Sequence, residues 1–218
     1  MISHDQTPAQ PTTRIRSQVL RETPLSKTPR SLALAAGLML ASSALQPIAA
    51  ATCADVTFPD SVTVGGSELA LNGLGIREAT VLEVEVYVAA LYLPQKSGDA
   101  DAILGASQPW LLDLHFVRSV TASEMKDAFE DGFQNAGADV STLQPKIDQL
   151  TGMFTDFEEG QVVSFTSVPA TGVEVAVDGT AKGTIAGDDF AKALLGIWLG
   201  PEPPNDDLKS GLLGGACE

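Results

Sequence analysis

Arg77 and Tyr87 are the side chains whose type and position best suit them to bind or act on a small molecule. Arg77 carries a permanent positive charge and follows Gly73 and Gly75, whose conformational freedom predicts a turn. The turn leads into the longest apolar β-type run in the sequence, and Tyr87 lies halfway along that run. We therefore predict a charged group at the start of a buried strand and a hydroxyl group at the mouth of a covered region.

The run from Leu82 to Leu93 alternates with a period of two, which is typical of a β-strand. One set of alternate residues is apolar throughout and predicts a wholly buried face: Leu82, Val84, Val86, Val88, Ala90 and Tyr92. The opposite set begins with Glu83 and Glu85 and becomes apolar from Tyr87 onward. That second face should pass from solvent into a covered region at Tyr87.

Other groups that support catalysis or metal binding are sparse. His115 is the only histidine after residue 50, so neither a zinc site of Cys and His ligands nor a Ser-His-Asp triad has support. We predict that His115 is a strand residue with a local partner and that the protein holds no metal. Cys53 and Cys217 could pair in an oxidising compartment and tie the two ends together, or they could remain free thiols.

The first fifty residues have the composition of an export signal. A polar leader rich in Pro, Thr and Arg precedes the apolar run LALAAGLMLASSAL, which is too short to span a bilayer comfortably. We predict a signal peptide over residues 1–51, cleaved near Ala49 to Ala51, and export to the periplasm. The alternatives are a buried core helix, an uncleaved anchor, or a true start downstream of Met1; the preceding arginines and the alanine-rich end favour export.

The rest of the chain is strongly acidic. The whole sequence has a formal net charge of −15, and residues 51–218 alone contain 8 basic and 26 acidic residues. This charge argues against nucleic acid and anionic lipid surfaces as partners, and we expect no stable membrane insertion of the mature protein. Arg77 and Arg118 are the only arginines in this part. The sequence does not indicate an oligomeric state.

Hydrophobic periodicity and turn signals predict a single α+β domain over residues 52–218. In chain order, the predicted elements are a β-meander at 55–71, the long strand at 82–93, a short helix at 99–106, a strand at 110–117, helices from 121 and from about 142, a strand at 161–168, a hairpin at 172–185, and helices at 188–199 and from about 206. Thr121 and Glu124 have the spacing of a capping box, which opens the first of the two central helices.

The order of these elements resembles the chalcone isomerase family, and specifically its bacterial exported chalcone-isomerase-like branch. The segments that carry the resemblance are GLGIRE, VYVAALYL, LHFVRSVTASEM, GTIAGDDFAKALLGIWLG and DLKSGLLG. The likeness extends over most of residues 55–214. It implies an open-faced β-sandwich, in which a large curved antiparallel sheet is packed by helices, with a ligand cleft between the sheet and the helical layer.

The resemblance also implies a reaction and the residues that would perform it. In enzymes of this family a 2′-hydroxychalcone closes to a flavanone when a phenoxide attacks a double bond conjugated to a carbonyl. This requires a cation and hydrogen-bond donors but no metal or organic cofactor. The family's arginine matches Arg77, and Tyr87 stands where true isomerases carry a threonine. The family's catalytic tyrosine, asparagine and second threonine match Met125, Gly132 and Ile197, none of which supplies the required group.

These matches favour a non-catalytic protein that binds an acidic apolar small molecule, such as a fatty acid, as the fatty-acid-binding members of the family do. Arg77 would be the charge partner of the ligand and Tyr87 its hydrogen-bond donor. The residues predicted to line the cleft are Met125, Phe129, Leu194 and Ile197.

Two other functions remain open from the sequence. The first is a working isomerase (an intramolecular lyase) on a phenolic enone, in which Arg77 orients the substrate and Tyr87 replaces the missing donor. The second is a structural or interaction protein of the cell envelope whose cleft has closed. Arg77 would have no site role at all if it paired with Glu78, Glu83 or Glu85 on the surface.

Overall fold

The computed structural model describes residues 50–79 and 84–217, which lie within one compact unit. The predicted signal peptide lies outside the described residues except for Ala50 and Ala51, and so do Leu82 and Glu83 at the predicted start of the long strand. Across the described ranges, no helix has the length and apolar character needed to cross a membrane.

The described chain contains nine strands and five helices. They are, in chain order, β1 (Ala50–Cys53), β2 (Val56–Pro59), β3 (Ser61–Val64), β4 (Ser67–Ala79), β5 (Val84–Leu93), α1 (Ala100–Gly105), β6 (Trp110–Phe116), α2 (Ala122–Asn135), α3 (Val140–Thr151), β7 (Val162–Val168), β8 (Gly172–Val177), β9 (Thr180–Ile185), α4 (Asp188–Leu199) and α5 (Asp206–Leu212). The predicted capping box is confirmed, because Thr121 and Glu124 bond each other's backbone N–H groups at the start of α2.

Strands β3 to β9 form one curled, seven-stranded antiparallel sheet in which each strand pairs with the next along the chain. Helix α1 connects β5 to β6, helices α2 and α3 are inserted between β6 and β7, and α4 and α5 follow the last strand. The hairpin β1–β2 forms a separate small sheet. The predicted α+β class, with a large curved antiparallel sheet packed by helices, is confirmed.

The two faces of the sheet are covered by different parts of the chain. The inner face carries Tyr87, Ala89, Leu91 and Leu93 of β5 and packs against the helices through residues such as Phe129, Leu194, Trp198 and Leu208. The outer face carries Val88, Ala90 and Tyr92 and is covered by Cys53 and Phe58 of the β1–β2 hairpin. His115 also has a local partner, since its ring lies edge-on to Phe58 with centroids 6.2 Å apart.

The structure corrects two expectations about the central stretch. Gly73 and Gly75 do not form a turn but lie inside β4, and neither has a positive φ. The small size of these glycines matters instead, because α5 crosses directly over them. The face predicted to be wholly buried also begins outside the core: Val84 is 39% exposed where it pairs with Ala79 at the end of the β4–β5 ladder, and full burial on this face begins at Val88.

Helix α5 is fastened to β4 by a buried asparagine. Asn72 interrupts the β4–β5 register, so it has no partner on β5, and its side chain is available for other bonds. Its amide nitrogen donates to the carbonyl oxygens of Leu212 (2.7 Å) and Ser97 (3.0 Å), and its amide oxygen accepts from the Ser97 N–H at 2.7 Å. A disulfide between Cys53 and Cys217 then joins the segment after α5 to the β1–β2 hairpin.

Candidate functional site

A cavity of about 410 Å³ opens between the start of β5, helix α2, the end of α4 and the segment that follows α4. Its floor consists of buried residues and is largely apolar: Tyr87, Met125, Phe129, Gly132, Ile197 and Trp198. Its polar rim is more exposed: Arg77, Arg118, Glu124, Asp131, Asn135 and Glu202. The volume falls in the range typical of small-molecule sites, and an apolar floor with a few polar groups at one end suits an amphiphilic ligand.

Arg77 reaches the cavity from the same face of the sheet as Tyr87, because directly paired residues of antiparallel strands point to the same face. It pairs with Tyr87 in the β4–β5 register, and the register then shifts by one residue, leaving Val86 without a partner on β4. Such a bulge bends the ladder and re-aims the neighbouring side chains. The Arg77 side chain is half-buried at the rim, and no carboxylate in residues 50–79 or 84–217 forms a salt bridge with it.

The surface-pairing alternative for Arg77 is therefore not realised with Glu78 or Glu85. Glu83 lies outside the described residues. A half-buried guanidinium without a protein carboxylate partner can attract an anionic group into the mouth of an apolar cavity.

The backbone on both sides of Arg77 is held by Asn205, the residue before α5. The Asn205 amide nitrogen donates to the carbonyl oxygen of Ile76 at 3.0 Å, and the N–H of Glu78 donates to the Asn205 side-chain oxygen at 3.4 Å. These two bonds bracket Arg77. The C-terminal segment consequently fixes the strand position from which the guanidinium extends.

Tyr87 presents a neutral hydroxyl group at the floor of the cavity rather than at its mouth. The side chain is only 7% exposed, and the Trp198 indole N–H donates to its oxygen at 3.0 Å. Burial raises the pKa of Tyr87 to about 12, although the bond from Trp198 and the charge of Arg77 oppose this shift. The phenol therefore stays protonated at neutral pH, and its own O–H remains able to donate to a ligand.

An aromatic cluster closes the space behind the floor. The ring of Phe129 packs against Trp198 and Phe165, with centroids 5.7 Å apart in both pairs, and against Phe154 at 4.9 Å. The cavity therefore does not continue between the sheet and α4.

Five of the six residues predicted for the site line this one cavity: Arg77, Tyr87, Met125, Phe129 and Ile197. Leu194, which was predicted to line it too, is instead fully buried in the core and does not border the cavity. It lies on α4 one turn before Ile197 and Trp198, further from the C-terminal end of the helix, which borders the cavity.

Three important residues of the site were not predicted. Trp198 holds the Tyr87 hydroxyl, Asn205 holds the backbone around Arg77, and Arg118 adds a second positive charge at the rim. The sequence did contain an indication of Arg118, because Arg118 and Arg77 are the only arginines after residue 50. Neither Trp198 nor Asn205 has a sequence pattern that would connect it with a residue more than 100 positions away.

Comparisons with known proteins agree with the architecture. No curated protein sequence matches the chain. Among solved structures, a fatty-acid binding protein from Arabidopsis thaliana superposes with a TM-score of 0.62 at 17% sequence identity, over 73% of this chain and 92% of that one. At this identity the likeness establishes the fold alone. The sequence profile of the chalcone isomerase-like family matches residues 50–214, so the chain belongs to the chalcone isomerase-like family.

Proposed function

We propose that this protein binds a small acidic apolar molecule, such as a fatty acid, in the cavity between α2 and the end of the sheet, and that it does so without catalysing a reaction. The observation that carries the proposal is the pairing of Arg77 with Tyr87 across β4 and β5, beside an apolar floor. The similar Arabidopsis thaliana structure is itself named as a fatty-acid binding protein, which supports the same class of ligand.

The two side chains offer complementary bonds to a carboxylate. Arg77 supplies charge and several N–H donors, and Tyr87 supplies a neutral O–H that burial keeps protonated. Charge-assisted hydrogen bonds of this kind are the strong ones, and a carboxylate has two oxygens to share between the donors. The carboxylate of the ligand would therefore lie between Arg77 and Tyr87.

The apolar part of the ligand would rest on Met125, Phe129 and Ile197. If each non-hydrogen atom occupies roughly the 30 Å³ of a water molecule, about 410 Å³ holds on the order of a dozen atoms. That size matches a medium-length acyl chain or a compact ring system. The aromatic cluster behind Phe129 blocks a longer chain from extending into the core.

The same cavity is poorly equipped for isomerisation. Met125, Gly132 and Ile197 occupy the positions that resemble the family's catalytic tyrosine, asparagine and threonine, and all three line the cavity without a polar side chain. Stabilising a developing enolate requires preorganised donors aimed at it. We expect consumption of naringenin chalcone at the spontaneous rate; a faster rate that is lost in Arg77→Ala would establish the isomerase alternative instead.

Binding is tested by calorimetric titration with decanoate and with decanol as the uncharged counterpart. We expect decanoate to bind and decanol to bind much more weakly. Loss of a charge-assisted bond costs about 1.5–3 kcal/mol, so Arg77→Gln should weaken decanoate binding by about 10- to 100-fold. The control is Lys126→Gln on α2, which removes an exposed charge that pairs with Glu130 and does not border the cavity.

Mass spectrometry of the protein isolated gently from its native host provides the second test. A co-purified medium-chain or aromatic acid supports the proposal. An empty cavity, together with decanoate binding that is equal in the wild type and Arg77→Gln, would refute it.

We further propose that the protein is exported to the periplasm. The supporting features are the leader over residues 1–51 and the disulfide between Cys53 and Cys217, since disulfides persist in oxidising compartments. Fractionation of the native host should place the protein in the periplasm, with a mass that lacks the leader. Recovery of the full-length chain from the cytoplasm would contradict this proposal.

A further inference from the structure

We infer that the ligand of this cavity carries two negative charges at its polar end, as an alkyl or aryl phosphate monoester does, and that Arg118 is the second cation that selects it. This inference rests on the proposed binding function and names the class of ligand more narrowly. It starts from the location of the arginines, because both arginines in residues 51–218 border the same cavity.

The sheet brings the two arginines to one end of the cavity. Arg77, Tyr87 and Phe116 lie side by side on β4, β5 and β6, each paired with the next. Arg118 follows Phe116 by two residues, and the N–H of Val117 still bonds the carbonyl oxygen of Val86 at 3.0 Å. Arg118 consequently leaves the sheet after β6, which pairs with β5 on the side opposite β4 and Arg77, and it borders the same cavity.

The bonding capacity of Arg118 is largely unused. Its Nε donates to the carbonyl oxygen of Ser119 at 3.3 Å, which leaves its terminal nitrogens without a protein acceptor in the described part of the chain. It forms no salt bridge with a described carboxylate, although it is half-buried. Two half-buried guanidinium groups on one apolar cavity offer a ligand two positive charges.

The acidic groups at the rim do not neutralise this pair. Glu124, Asp131 and Glu202 are all exposed, so water screens their charges. Glu124 is also committed to the start of α2, where one carboxylate oxygen accepts from the backbone N–H and the hydroxyl of Thr121, both at 2.8 Å. Those bonds hold the pKa of Glu124 below its ordinary range, and the charge of Arg118 contributes only in a minor way.

A single carboxylate would leave one of the two arginines without a partner. Arg77 and Tyr87 already supply enough donors for its two oxygens. A phosphate monoester has three terminal oxygens and a charge near −2 above its second pKa of about 6, so it can accept bonds from Arg77, Tyr87 and Arg118 together. The planar fork of arginine suits this role better than lysine, and no lysine borders the cavity.

The test compares decyl phosphate with decanoate, which share a ten-carbon chain length. At pH 7.5, we expect the wild type to bind decyl phosphate at least about tenfold more tightly than decanoate, because one additional charge-assisted contact is made. Arg118→Gln should reduce this preference to about threefold or less, and Arg118→Lys should restore part of it. Lys126→Gln is the control that alters an exposed charge near the cavity.

A pH series provides an independent readout. Lowering the pH from 7.5 to 5.5 removes one charge from most of the decyl phosphate but leaves decanoate largely ionised, so the preference of the wild type should fall with pH. Arg118→Gln should show little of this pH dependence. Circular dichroism spectra that match the wild type will show that the variants are folded.

The outcomes separate the inference from the proposed function. If decanoate binds in an Arg77-dependent way but decyl phosphate binds no more tightly, or if Arg118→Gln leaves the preference intact, the inference is wrong and the proposed function stands. If neither ligand binds the wild type, both fail.

Discussion

Replacement of Gly75 by alanine should destabilise the protein and weaken its ligand binding together. Gly75 lies in β4 under α5, and a Cβ atom there would meet the Leu208 carbonyl oxygen at 2.5 Å and the Leu208 Cα and Cδ1 atoms at 2.9 Å. The Leu208 carbonyl oxygen and Cα atom belong to the backbone of α5. Since the clash cannot be relieved by rotating a side chain, α5 must move away from the sheet.

The size of the effect follows from two opposing contributions. Overpacking of a well-packed site typically costs about 1–3 kcal/mol. Replacing glycine by alanine also restricts the unfolded chain, which stabilises the folded state by about 0.4–1 kcal/mol. We expect a net loss of about 1–2 kcal/mol, which for a domain of this size lowers Tm by roughly 2–8 °C.

Ligand binding should respond because α5 also positions Arg77. Asn205 lies three residues before Leu208, and its bond to the Ile76 carbonyl oxygen is 3.0 Å long. A helix that shifts by even a few tenths of an ångström lengthens this bond and frees the strand beside Arg77. We therefore expect the affinity for decanoate to fall in parallel with Tm.

Thermal unfolding followed by circular dichroism and calorimetric titration measure the two effects. The matched control is Gly105→Ala at the end of α1, where a Cβ atom would meet nothing within 4 Å. That variant should be as stable as the wild type or slightly more stable, because alanine favours helices. A Gly75→Ala protein with the Tm and affinity of the wild type would refute the close packing of α5 on β4.

Three further predictions concern stability. Reduction of the Cys53–Cys217 disulfide, or Cys217→Ser, should lower the free energy of unfolding in urea by up to about 4–5 kcal/mol, since the bond closes a loop with a sequence separation of 164 residues; equal urea midpoints with and without reductant would contradict this. Burial raises the pKa of Asp113, and a hydrogen bond from Ser164 partly offsets this shift, so the contribution of Asp113 to stability falls as pH rises above about 4. Asp113→Asn should therefore raise the urea midpoint at pH 7 and have little effect near pH 4. A gain of equal size at both pH values would exclude the charge as its cause. Thr121→Ala removes the capping box of α2 and should cost about 1 kcal/mol in the same urea assay, with no loss if the cap does not contribute.

The periodic segments of the chain predicted the fold well because their signals are local. The alternation between Val86 and Leu93 required a strand, and the Thr121 and Glu124 spacing required a helix start, whatever these elements later packed against. The family resemblance then implied that the strands form one large curved antiparallel sheet packed by helices. Errors arose where a local pattern had two explanations. A glycine can allow a turn or a close contact between backbones, and only the position of α5 over Gly73 and Gly75 shows that the second explanation applies here.

The candidate site could be predicted only in part for the same reason. Arg77 and Tyr87 lie near each other in sequence and on neighbouring strands, so their proximity could be anticipated. Leu194 and Ile197 belong to one apolar stripe of α4, and the sequence cannot show that the cavity ends between them. Trp198 and Asn205 acquire their roles through contacts with residues 111 and 129 positions away.

The sequence by itself determined the α+β class, the helix starts, the strand that carries Tyr87 and the presence of only two arginines in the acidic part of the chain, residues 51–218. These properties depend on the type and spacing of neighbouring residues. The tertiary structure decided which groups meet: Asn205 with the backbone around Arg77, the Trp198 indole with the Tyr87 hydroxyl, and Arg118 with the same cavity as Arg77. The docking of α4 and α5 against the sheet sets those contacts, and it joins segments that are remote in the chain.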